Sequence, residues 1–149
     1  MSLLLAAVKA NSIPDVSDLL AKGDNPKHYA RPLLSLATSR EMIALLISYG
    51  ADVNQVDEAG WSPIFWAPSA DLCLEFMKQG ADLTLMTTNG HSLIYVIHSW
   101  LSIGRAAGLG TMVEKHEVMI RIVESYPGLL LLCKHYPIDV IWYVKTLLY

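Results

Sequence analysis

Five histidines, two cysteines and one glycine-rich stretch are the residues of this 149-residue chain whose types suit chemistry. His91 and His98 lie seven apart, and His116 is flanked by Glu114 and Glu117. A metal needs several such ligands converging, and sequences that supply them carry spacings such as H-E-x-x-H or C-x-x-C. Neither is present, so no metal and no cofactor are expected. The stretch Gly104-Arg105-Ala106-Ala107-Gly108-Leu109-Gly110 looks superficially like a phosphate cradle, which works by aiming backbone N–H groups at an anion. It lacks the Lys-Ser/Thr that follows a P-loop, and no strand is expected before it. A flexible helix-to-helix connector is the better reading. Because such a connector would be exposed, a small-molecule or metal site near residues 104–110 stands as an alternative. Cys73 lies between Leu72 and Leu74 in an amphipathic run, where a cysteine behaves as a small buried hydrophobe. No catalytic residue is expected, and the chain reads as a non-enzyme.

The elements that hold these residues are constrained by composition. Hydrophobic residues make up 53% and charged residues 17%, with 11 basic against 14 acidic side chains and a formal net charge of −3. With a mean hydropathy of +0.36, that balance excludes a disordered chain and argues against nucleic acid as a partner. The apolar share exceeds the roughly 45–50% of an ordinary domain, so a surplus has to be buried. The clean apolar stretches, residues 129–133 among them, are far short of the ~18 residues of a membrane span. The first lysine, Lys9, follows the apolar start rather than preceding it, so no secretory leader is expected. Cys73 and Cys133 lack paired spacing, which points to a reduced, cytoplasmic setting.

Repetition organises the rest. Leu46-Ile47-Ser48-Tyr49-Gly50-Ala51-Asp52-Val53-Asn54 aligns with Phe76-Met77-Lys78-Gln79-Gly80-Ala81-Asp82-Leu83-Thr84, 30 residues on. Upstream, Arg31-Pro32-Leu33-Leu34 matches Ser62-Pro63-Ile64-Phe65 and, more loosely, Ser92-Leu93-Ile94-Tyr95. Ser62 is expected to N-cap a short helix by accepting backbone N–H bonds, with Pro63 at the next position, where no donor is lost. Gly50 and Gly80 follow apolar helical runs and are expected to close them in the left-handed conformation. Gly60 and Gly90 fall where a tight turn is needed. One unit is therefore a turn, a short helix, a turn, a longer helix and an extended finger. A unit this small cannot bury its apolar face alone, so the units must stack.

These motifs resemble the ankyrin-repeat family, whose pattern runs D-x-x-G-x-T-P-L-H-x-A-A and then G-H-x-x-I-V-x-x-L-L-x-x-G-A-D-V-N. Asp57-Glu58-Ala59-Gly60-Trp61-Ser62-Pro63-Ile64-Phe65-Trp66-Ala67 matches the first half, and residues 39–54 match the second. The resemblance implies an all-α, ankyrin-like solenoid of about four helix-turn-helix repeats plus terminal capping helices, in one domain. The approximate repeats are 1–25, 26–56, 57–86 and 87–128, with a capping helix at 129–149. They run 30 or 31 residues rather than the family's roughly 33, shortened between the two helices. In the fourth, the first helix is expected to run from Ser92 to Ile103, with the connector 104–110 before a second helix at 113–124. His116 falls where the family places a structural histidine at a helix start.

The resemblance also implies a protein partner, gripped by finger tips and the concave face of the first helices. Carried over by motif, the partner-binding residues are Lys27, His28 and Ala30, then Glu58, Ala59 and Trp61, then Thr88, Asn89 and His91. Trp61 is the sharpest, either an exposed hot spot or a ring packed on a neighbouring finger. Phe65 and Trp66 are expected to be structural. Asp52, Asp57, Glu58, Asp71, Glu75 and Asp82 face Lys78 alone over residues 51–100, a field that would steer a basic partner. Fold analogy adds an inhibitor role, for instance an immunity protein neutralising a bacterial toxin. An alternative is a homo-oligomer built on the apolar C-terminus (Ile141, Trp142, Tyr143, Leu147, Leu148, Tyr149).

Overall fold

Apolar residues at helical spacing and capping serines set the elements, which the computed structural model describes for residues 2–125. Helix α1 (Leu3–Lys9) buries Leu4, Ala7 and Val8, and α2 (Ile13–Ala21) buries Val16 and Leu20. Asn11 turns the chain between them at φ 52°, a left-handed conformation that asparagine tolerates. Its Oδ1 accepts a 2.8 Å hydrogen bond from the Ser39 hydroxyl of the next unit.

Two near-copies follow. A 3₁₀ turn, Leu33–Leu36, leads to α3 (Arg40–Ser48), and a second, Pro63–Trp66, leads to α4 (Ala70–Lys78). Equivalent hydrogen bonds fix their register. The Ala37 N–H donates to the Leu34 carbonyl and the Ala67 N–H to the Ile64 carbonyl. Ser39 Oγ accepts from the Met42 N–H at 3.2 Å, and Ser69 Oγ from the Leu72 N–H at 3.3 Å. Each pair is 30 residues apart, so the proline-guided match of Arg31-Pro32 with Ser62-Pro63 is one residue out. Pro32 occupies the cap position that Ser62 holds in the following unit.

The expected short α-helices are single 3₁₀ turns because the connection to the next cap is short. Ala67 must be extended (φ −54°, ψ 119°), as the residue before a proline prefers to be, and Pro68 stops the helix there. Ala37 takes the same course at φ −67°, ψ 131°. Ser62 does not cap through its side chain as expected. In a 3₁₀ turn the third amide pairs with the cap residue's own carbonyl, and the Phe65 N–H does so at 3.1 Å. Ser62 Oγ is left buried without a hydrogen-bond partner among the described residues.

The two 3₁₀ turns pack on each other and α1 on the first of them, while α2, α3 and α4 pack in sequence as a second layer. Met42, Ile43, Leu46, Ile64, Phe65, Leu72, Cys73, Phe76 and Met77 are buried. Gly50 and Gly80, both at φ 90°, close α3 and α4 as expected.

The described residues fall into two compact units, the first ending at Leu93 and the second beginning at Ile94. The second holds nearly all of α5 (Leu93–Ala106) and all of α6 (Gly110–Ser125). The expected connector 104–110 contracts to residues 107–109, because Gly104 and Gly110 are helical. Gly104 is buried, and a Cβ there would lie 3.3 Å from Met112 Cγ, so the glycine permits close approach of α6. Gly108, at φ 68°, ends α5, with the Leu109 N–H returned to the Gly104 carbonyl at 2.9 Å. His116 lies within α6 rather than at its start, buried, its Nδ1 donating to the Met112 carbonyl at 2.7 Å. Among the described residues there is no strand, only one isolated bridge between Met86 and Ser92. The closing helix expected at 129–149, and with it the apolar C-terminal residues, lies outside the described residues.

Candidate functional site

The fingers are built by side chains that satisfy turn amides. Asp57 Oδ1 accepts from the Ala59 and Trp61 N–H groups, both at 2.9 Å, and the Gly60 N–H donates to the Asp57 carbonyl. Thr87 repeats the arrangement with a hydroxyl, accepting from the His91 N–H at 3.1 Å while Gly90 donates to its carbonyl. Gly60 and Gly90 take φ 77° and 75°, the left-handed region that such turns need.

Neighbouring fingers are then stitched together. The Thr88 N–H and hydroxyl both donate to the Ala59 carbonyl, at 3.0 and 3.2 Å. Asn54 donates to the Gly80 carbonyl and accepts from the Asp82 N–H at 2.7 Å. Gln55 Nε2 reaches back to the Tyr29 carbonyl at 3.1 Å. Glu58, Ala59, Thr88 and Asn89 are thereby brought to adjacent tips, all exposed. Lys27, His28 and Ala30 are exposed on the preceding finger. Lys27 folds back over the Gly50 turn, where a Cβ would meet its Cε at 3.2 Å. His91 is half-buried at the base of the last finger.

The aromatic residues divide differently from expectation. Phe65 is buried, but Trp66 is 37% exposed and belongs to the surface. Trp61 is half-buried, and it packs on the aromatic rings of its own unit. Its ring centroid lies 5.0 Å from that of Trp66 and 5.6 Å from that of Phe65. The Arg31 guanidinium sits 4.2 Å over the Trp66 ring. At the 30-residue register Arg31, Trp61 and His91 are equivalent positions, so Arg31, not Ala30, corresponds to Trp61. Keeping one spacing throughout would have found Arg31; Trp66 carries no such signal, since its neighbours in sequence are buried.

Much of the central acidity is structural. Asp52 Oδ1 accepts from the Asn54 N–H, Asp82 Oδ1 from Thr84, and Asp57 from its own turn. Asp71 pairs with Arg40 at 3.4 Å on an exposed surface. Burial pushes the Cys73 thiol up to about 12, which leaves it protonated and unreactive. No group of metal-ligating side chains occurs among the described residues, and none of their helices is long and apolar enough to cross a membrane.

No family model matches the chain. A protein of Borreliella burgdorferi named for its ankyrin repeats is 44% identical over 52 residues, covering 33% of this chain and 24% of that protein. Protein phosphatase 1 regulatory subunit 27 of Homo sapiens is 38% identical over 58 residues, covering 37% of this chain and 38% of that protein. The chain thus spans well under half the length of these curated relatives. The crystal structure of the ankyrin repeat domain of Bcl-3, a member of the IkappaB protein family, is similar with a TM-score of 0.55 at 25% identity. That likeness covers 64% of this chain and 46% of the other. Stacked 30-residue units, glycine-closed helices, stitched fingers and these likenesses agree on an ankyrin-like fold, and over part of its length the chain is similar to ankyrin-repeat proteins.

Proposed function

We propose that this chain is a non-enzymatic protein-binding module that grips a partner with its finger tips and the inner face of its 3₁₀ turns. The observation that carries the reading is Trp66, a large ring left exposed beside Trp61 on a scaffold whose fingers are cross-linked by hydrogen bonds. Tryptophan is enriched among residues that dominate binding energy, and a rigid support lowers the ordering cost of binding. Lys27, His28, Ala30, Glu58, Ala59, Thr88, Asn89 and His91 form the surrounding contact surface, with Trp61, Trp66 and Arg31 at its centre. Similarity to a phosphatase regulatory subunit supports a partner that is itself a protein.

The narrower form of the proposal is a cytoplasmic inhibitor that occludes a partner with a basic rim, an immunity protein against a toxin being one instance. Support for the basic rim is the run of six carboxylates against Lys78 over residues 51–100, since charge in turns still contributes to the field. Native affinity purification followed by mass spectrometry tests the proposal. One stoichiometric protein partner is expected, released progressively as salt rises; recovery of only abundant housekeeping proteins contradicts it.

A further inference from the structure

Arg31 is an exposed cation held in a fixed pose. Its Nε donates to Ser35 Oγ at 3.0 Å, and its guanidinium carbon lies 4.2 Å over the Trp66 ring. Ser35 is only 8% exposed, and its hydroxyl in turn donates to the Pro32 carbonyl at 2.7 Å. A buried hydroxyl on one side and an indole face on the other therefore orient the fork. No carboxylate among the described residues pairs with it: the ion pairs they form are Arg40–Asp71 and Arg105–Glu117.

A guanidinium has five N–H donors in one plane, and Ser35 uses only the Nε–H. The edge formed by the two terminal nitrogens matches a carboxylate, which it binds through two parallel hydrogen bonds. The Ser35 hydrogen bond and the contact with the Trp66 face hold the group in place before any partner arrives, so less side-chain entropy is lost on binding. Beside it, Trp66 and Trp61 offer exposed and half-exposed ring surface for an apolar neighbour of the carboxylate.

We infer that Arg31, Trp66 and Trp61 form a subsite for a protein segment carrying an Asp or Glu next to a bulky apolar residue. The inference rests on the protein-binding reading and names what its centre recognises. The surroundings select the class of anion. Glu58 and the other carboxylates of residues 51–100 repel negative charge, so a single carboxylate is accepted where a phosphorylated residue or a nucleic-acid backbone meets greater repulsion. The partner then has one acidic anchor set within a basic rim.

The test is selection of a random twelve-residue peptide display library on the immobilised full chain, followed by affinity measurements on synthetic versions of the enriched peptides. Enriched peptides are expected to carry Asp or Glu within one or two positions of an aromatic or branched residue. Arg31→Gln and Trp66→Ala should each weaken them by at least about tenfold with an unchanged unfolding temperature. Replacing the peptide's acid by its amide should cost as much in the wild-type chain and nothing further in Arg31→Gln. Peptides weakened by Trp66→Ala but without an acid, and indifferent to Arg31→Gln, overturn the carboxylate subsite while leaving the inner face as a binding surface. Peptides indifferent to both substitutions, or no enrichment at all, overturn the subsite and count against the binding reading too. Phosphopeptides that bind better than their Glu counterparts also overturn it.

Discussion

The turns Asp57–Trp61 and Thr87–His91 have the same backbone bonds and the same left-handed glycine, yet among the described residues only the first glycine has a neighbouring finger docked directly on it. A Cβ at Gly60 would lie 2.8 Å from the Thr88 N and 3.1 Å from the Thr87 carbonyl carbon, whereas a Cβ at Gly90 meets nothing within 4 Å. The first glycine is required twice, for its φ and for the finger docked on it; the second is required for φ alone. The helices that follow diverge as well. Pro63 and Pro68 confine one to a four-residue 3₁₀ turn, while α5 meets no proline and runs 14 residues until Gly108 ends it. Local backbone chemistry is thus repeated, and what differs is whether a neighbouring unit leans on it.

That contrast is broken most forcefully at Gly60. Gly60→Ala adds a clash with backbone atoms to the left-handed strain and should cost about 3 kcal/mol. Gly90→Ala carries the strain alone and should cost about 1 kcal/mol. Urea unfolding of the two variants side by side checks the difference, and equal losses would mean that the finger on Gly60 contributes nothing.

Ser62→Ala tests the orphaned hydroxyl of the 3₁₀ turn. An unpaired buried hydroxyl is destabilising, so its removal should raise stability by about 1 kcal/mol, or roughly 4 °C in unfolding temperature. A drop in unfolding temperature would mean that the hydroxyl has a partner in solution. The smallest effect belongs to Gly104→Ala in α5. Alanine gains up to about 1 kcal/mol of helix propensity, and the contact at 3.3 Å is with a flexible methionine that can yield. A net gain of about 0.5 kcal/mol by thermal unfolding is expected; a loss would show that α5 and α6 cannot spread at that point.

The elements most legible in the sequence are those set by one residue's backbone needs. Gly50, Gly80, Gly60 and Gly90 mark turns because few other residues adopt a left-handed φ at low cost. The second helices follow from their apolar spacing and from glycine at their ends. The register between units is less legible, because Pro32 imitates Pro63 while occupying the position of Ser62. The side-chain cap expected of Ser62 fails because helix type, not residue type, decides which amides are free. Trp66 is hidden for a different reason: exposure depends on which side of a 3₁₀ turn faces the packed layer, and a four-residue element has no periodicity to reveal it. Arg31 is legible only once the register is right.

On the proposed reading, the tryptophan pair on the inner face holds a protein partner without holding the fold together. The direct measurement is affinity of the Trp61→Ala/Trp66→Ala double variant for the partner recovered by native purification, alongside its unfolding temperature. Loss of at least about 100-fold in affinity, with a shift of only a few degrees in unfolding temperature, is the predicted result. Unchanged affinity combined with a collapse in stability would place both rings in the architecture and contradict the claim.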